Sequence, residues 1–188
     1  MSEAMTEPGP HTWDDFIALE EDDLRELIDG ELVEVEVPRA RHERIVAALI
    51  RLLGNWTVEH GGVVLASGYK VRISDRRGVM PDVQVFRRGH EPPGDQDVGL
   101  TEGHPDLVVE VLSPSSLRYD RVLKARWYAS IGVPEYWIVD PEGRTIERLV
   151  LDGPTWTIAT TAAGDEPFDP PSFEGLRVEL RALWDDPR

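Results

Sequence analysis

A chain of 188 residues fits one domain built on a single substantial core. It contains no cysteine, which excludes disulfides, thiolate catalysis and thiolate metal sites and leaves oxygen and imidazole as metal donors. A formal charge of −16 excludes non-specific wrapping of nucleic acid over the whole surface, because affinity for phosphates comes mainly from Lys and Arg.

The charge is segregated. Residues 1–38 hold 13 acids and one base (−12), residues 39–126 hold 11 acids and 14 bases (+3), and residues 127–188 hold 12 acids and 5 bases (−7). Only the middle part is cationic. There is no apolar run of about eighteen residues and no secretory leader pattern, so a soluble, cytoplasmic protein without a membrane span is expected.

Residues 1–11 are rich in Gly, Pro and Glu without periodicity and are expected to be a disordered tail, with one domain over 12–188. From Thr12, a plausible cap, apolar Phe16, Ile17, Leu24 and Leu27 alternate with acids, predicting one or two short amphipathic helices stopped by Gly30. The strict alternation of ELVEVEV (31–37) predicts a strand ended by Pro38. A long helix is predicted from about His42, with Ile45, Leu49, Leu52 and Leu53 on one stripe and Gly61 and Gly62 past its end. GVVLASGYKVRI and VMPDVQVF are two β runs joined by a charged turn around Asp75 and Gly78. The polar segment 87–104 is the longest predicted loop.

HPDLVVEVLSPSS is a β run stopped by Pro114, and a helix from about Ser116 to Ile131 follows it. PEYWIVD, RTIERLVL and TWTIATT then read as three further strands, and FEGLRVELRALWDD as a short strand with a helical turn. This order predicts an α/β fold of one mixed sheet flanked by helices.

Two of these β runs carry an acid among apolar residues, Asp82 and Glu110. Burying such an acid is costly unless a cation sits on it, so the pair suggests a shared metal. A solvent-facing acid is the alternative for each. Asp120 and Lys124, four apart on the next helix, form a simple salt bridge on spacing alone. That helix leaves the Glu110 strand through a short turn, however, and so could carry Lys124 to the same place. Glu31, Glu43 and His42 are either surface charges or additional members of the site. The histidines show no zinc spacing, and phosphate-loop and nucleophile-elbow motifs are absent.

The segments IDGELVEV, MPDVQVF, PDLVVEVLSPSS, Asp120-x-x-x-Lys124 and YASIGVPEYWIVDP together resemble the Uma ("Uma-two") family of restriction-endonuclease-like proteins, over about residues 12–185. That family lies in the PD-(D/E)XK nuclease superfamily, and the resemblance implies a restriction-endonuclease-like mixed sheet with flanking helices. It implies Asp82, Glu110 and the backbone carbonyl of Val111 as ligands of Mg²⁺ or Mn²⁺, with Lys124 completing a catalytic triad for hydrolysis of DNA. One departure stands out: the position two after Glu110, the usual place of the lysine, is Leu112, and Lys124 on the helix takes its part. A flexible four-carbon stem permits that migration. Arg41, Arg44, Arg118 and Arg121 are candidate contacts to the DNA backbone or ordinary surface arginines. A homodimer through Trp and Leu residues of the C-terminal strands is expected by analogy with enzymes that cut both strands. The alternative reading is a catalytically inactive binding or assembly module on the same fold.

Overall fold

The structure is a computed structural model describing residues 9–20, 22–35, 39–94, 98–114 and 116–184. Its first helix, α1 (Trp13–Ile17), starts at Thr12, whose amide donates to the Asp15 carboxylate at 2.8 Å. Trp13 and Phe16 bury themselves against Leu27.

The helical pattern expected up to Gly30 stops early. Residues Arg25–Ile28 form β1, paired antiparallel with β2 (Glu31–Glu34). Between them Asp29 and Gly30 both have positive φ, 50° and 84°, the left-handed pair that a tight two-residue hairpin turn requires. That turn also organises part of the expected tail. The Gly9 and His11 amides donate to the Asp29 and Gly30 carbonyls at 2.9 and 3.0 Å. Residues 1–8, and 36–38 at the end of the expected strand, lie outside the described residues.

Helix α2 (Ala40–His60) buries Ile45, Val46, Leu49 and Leu53 on one stripe. Each of the two following β runs is broken once. The first gives β3 (Gly62–Ala66) and β4 (Lys70–Ser74), and the second gives β5 (Arg77–Val79) and β6 (Val83–Arg87). β3 pairs with β6 in one sheet, and β4 pairs with β5 in another. The expectation of one sheet is therefore corrected: β3 and β6 belong to a six-stranded sheet, while β4 and β5 join β1 and β2 in a five-stranded one. Ser67-Gly68 and Pro81 mark the breaks; proline lacks the amide that a continuing ladder needs. Part of the expected long loop is also a strand, since β7 (Gly99–Leu100) pairs parallel with β4.

Strand β8 (Leu107–Val111) is buried along its whole length. The chain then enters a π-helical segment, Tyr119–Lys124, which runs directly into α3 (Ala125–Ser130) and returns as β9 (Glu135–Asp140), parallel to β8. The β8–helix–β9 unit is thus a crossover connection. Antiparallel β10 (Thr145–Asp152) and β11 (Thr155–Ala163) extend the sheet, and the small β12 (Pro167–Phe168) and β13 (Val178–Glu179) pair precedes α4 (Leu180–Trp184).

Two cores lie on the two faces of the six-stranded sheet. Ile45, Leu49 and Leu53 pack on Val83, Val85, Val109 and Trp137. On the opposite face Val71 and Val79 of the smaller sheet meet Val108, Leu112, Tyr128 and Tyr136. Strand alternation places Glu110 on this second face, with Val108 and Leu112. Trp137 and Trp184 are buried within the chain, and the Trp156 indole donates to the Ala125 carbonyl at 2.7 Å. The tryptophans expected at a dimer contact are therefore occupied internally. The described helices include none long and apolar enough to cross a membrane.

Candidate active site

A cleft of about 310 Å³ opens where the two sheets, the π-helical segment and the start of α2 converge. Asp82, Glu110, Asp120, Lys124, His42 and Glu26 all line it. Crevices at the carboxyl ends of parallel strands are the usual ligand sites of α/β sheets, and Glu110 and Val111 end β8.

Asp82 sits just before β6 rather than inside it. The β6–β8 ladder ends at the Val83–Val109 pair, and beyond it the Asp82 carboxylate accepts the Val111 amide at 2.7 Å. The same carboxylate oxygen lies 3.2 Å from His42 Nε2, and His42 Nδ1 lies 3.3 Å from Glu43. Burial works against the imidazolium of His42, but the Asp82 and Glu43 carboxylates outweigh it and raise the ring's pKa above 6.5.

Glu110 is 2 % exposed. Its Oε1 accepts from Lys124 Nζ at 3.0 Å and from the Tyr128 hydroxyl. Lys124 Nζ is also 3.2 Å from Glu26 and 3.7 Å from Asp120. Burial pushes the Glu110 carboxyl well up, with Asp82 and Asp120 adding to the effect and Lys124 opposing it. Asp120 is raised for the same leading reason. For Lys124 burial opposes the charge, yet Glu110 and Glu26 prevail and hold the ammonium protonated. The spacing pair Asp120 and Lys124 is therefore part of a buried cluster, not a surface bridge.

The other sequence candidates divide. Glu31 and Glu43 are exposed, and neither joins the cluster around Lys124. Arg41 lines the cleft mouth, donating to the Pro141 carbonyl and to Glu142 at 3.2 Å. Arg44 and Arg118 are on the exposed surface. Arg121 is engaged with Glu147 at 2.6 Å. Leu112 is 4 % exposed and belongs to the second core, so the strand position that would hold the lysine is given to packing.

Sequence reading missed three members. Tyr128 and Tyr119 lie on the predicted helix, where only the charged residues were singled out. Glu26, 1 % exposed on β1, was hidden in an acidic segment read as helix. The signal that finds it is Asp29-Gly30, which predicts a hairpin and hence an inward side chain on every second residue.

Comparison with known proteins gives a consistent picture. The sequence profile of the Uma2 family, described as "Putative restriction endonuclease", matches residues 13–181. An "Uncharacterized protein sll1609" of Synechocystis sp. is 26% identical over 142 residues, 74% of this chain and 79% of that protein. The fold matches a crystal structure described as "a putative nuclease belonging to DUF820" from Anabaena variabilis with a TM-score of 0.74. At 19% identity that match covers 93% of this chain and 98% of the other.

Proposed function

Since this chain belongs to the Uma2 family, we propose that its cleft is the active site of a metal-dependent nuclease that hydrolyses phosphodiester bonds of DNA. The observation that carries the reading is the ammonium of Lys124 on the carboxylate of Glu110, with Asp82 on the neighbouring strand end. A helix thereby supplies the cation that Leu112 does not.

The donor chemistry suits a hard divalent cation. Six acids line the cleft, among them Glu26, Asp82, Glu110 and Asp120 around its one lysine, and burial, with the neighbouring acids adding to it, raises the carboxyls of Glu110 and Asp120. Among the described residues no three His, Asp or Glu side chains stand together as a ready metal cage; an ion that keeps several waters, as Mg²⁺ does, needs only one or two carboxylates from the protein. Asp82, Glu110 and the Val111 carbonyl would hold Mg²⁺ or Mn²⁺ here. When bound, such an ion polarises a phosphoryl oxygen and makes a coordinated water more acidic.

The chain's own groups do the rest. Lys124, kept protonated, offsets charge that develops on the phosphate in the transition state. His42, hydrogen-bonded to Asp82, forms part of the cleft wall, and Arg39 and Arg41 at the rim offer contacts to flanking phosphates. The test is cleavage of supercoiled plasmid with Mg²⁺ or Mn²⁺. Cutting that is lost in Asp82→Asn and Lys124→Met supports the reading. Absence of cutting, or cutting undiminished in both variants, overturns it and leaves the non-catalytic module.

A further inference from the structure

Lys124 has a flexible stem and reaches the site from a helix, so something must hold its ammonium at one point. Glu26 comes from β1 of the smaller sheet, and every group it contacts belongs to another element. Its Oε1 accepts the Met80 amide at 2.8 Å and faces Lys124 Nζ at 3.2 Å, while Oε2 accepts the Tyr119 hydroxyl at 2.7 Å. Met80 lies two residues before Asp82, at the break where the chain passes from one sheet to the other. One buried carboxylate therefore touches both the backbone that carries Asp82 and the side chain that grips Glu110.

The π-helical turn makes this grip possible. In an α-helix, residues five apart such as Tyr119 and Lys124 diverge by about 140°. The i→i+5 repeat brings them to one face, and Lys124 Nζ lies 5.2 Å from the centre of the Tyr119 ring. Tyr119 and Lys124 thus arrive at the two oxygens of Glu26 together.

We propose that Glu26 is a positioning residue, resting on the nuclease reading above: it sets Lys124 and the Asp82 turn at a fixed separation and is the reason a lysine on this helix serves in place of one at position 112. Tyr119 is its support, orienting the carboxylate from the far side.

The chain has two lysines, Lys70 and Lys124, and this makes the test simple. Lysine labelled with ¹³C at the ε carbon gives one resonance for each. Lys70 contacts the Leu19 carbonyl and the Phe16 ring, so it reports on the fold. In Glu26→Gln the Lys124 resonance should move and broaden while that of Lys70 stays in place. Plasmid cleavage should fall roughly 10- to 100-fold in kcat, with KM little changed. In a second comparison, urea unfolding should show Glu26→Gln to be far less destabilising in the Lys124→Met background than in the wild type, because the lysine that Glu26 holds is then gone. The double variant carries no unpaired buried charge from this pair, so it tests the point even if Glu26→Gln alone folds poorly.

An unmoved Lys124 resonance, a parallel collapse of both resonances in a folded single variant, or an equal loss of stability from Glu26→Gln in both backgrounds would each overturn the positioning role. A wild-type protein that cuts no DNA would overturn the nuclease reading, and the catalytic role with it. The resonances would still decide separately whether Glu26 holds the lysine.

Discussion

Lys124 Nζ lies 3.0 Å from Glu110 Oε1 although one residue belongs to a helix and the other to the strand before it. Both are almost completely buried. This single contact carries the functional reading, and it also sets the largest stability expectation.

Removing the ammonium leaves Glu110, Glu26 and Asp120 facing one another without a cation. Lys124→Met should therefore lower the unfolding free energy at neutral pH by about 3–5 kcal/mol, the usual cost of breaking a buried pair from one side. Urea unfolding measures it; a loss below about 1 kcal/mol would place the cluster in far wetter surroundings than its burial indicates.

The Tyr128 hydroxyl donates to Glu110, and its ring packs on Tyr136 with centroids 5.2 Å apart. Tyr128→Phe keeps the ring contact and deletes only the hydroxyl. It should cost about 1.5–3 kcal/mol, as for a hydrogen bond to a charged group. A thermal or urea comparison with the wild type checks this value.

Asp120 gives a pH dependence whose sign is fixed by its raised pKa. A carboxyl raised in the folded state binds more protons there than in the unfolded chain. Its contribution to stability is thus fully present below the ordinary carboxylate pKa and is lost as pH rises through the folded value. Asp120→Asn cannot ionise, so with chelator present the variant should gain stability relative to wild type as pH is raised from about 4 towards 7. A difference that stays flat or moves the other way would refute the shift.

Gly30 stands at φ 84°, and an added Cβ would overlap the Gly9 carbonyl. Gly30→Ala should destabilise by about 1–3 kcal/mol through backbone strain alone. Because this turn sets the hairpin that delivers Glu26, the Lys124 resonance should shift as well. An unshifted Lys124 resonance in a destabilised Gly30→Ala would separate the turn from the cleft.

Much of this arrangement is written in local patterns. Glu110 inside LVVEVL declares itself because an acid in a strand buried on both faces needs a partner, and the structure supplies Lys124 and Tyr128. The strands at 135–163 and the long helix, the latter from its 3.6-residue stripe, are both legible in the sequence and both stand in the structure. Which sheet a strand joins is a different matter. Val71 and Val64 have similar sequence surroundings yet belong to different sheets, because the breaks at Ser67-Gly68 and Pro81 redirect a run without altering its alternation. Glu26 was illegible for a related reason: among thirteen acids in 38 residues, composition does not mark the one that faces inward. Arg121 is a further case, since its partner Glu147 lies on β10 and sequence spacing says nothing of it.

The split of each β excursion between two sheets has a consequence for how the molecule comes into being. Glu26 finds Met80 across 54 positions and Tyr119 across 93, and contacts of such separation form late because the intervening chain must first be closed into loops. The cleft should therefore be among the last features to assemble during refolding. In a stopped-flow experiment the ¹⁹F signal of a fluorotyrosine at position 119 should reach its native value no earlier than the fluorescence of Trp137 in the sheet core. A chain interrupted between Asp120 and Lys124 would hold Glu26, Asp82, Glu110 and Asp120 and lack the one ammonium that lies among them.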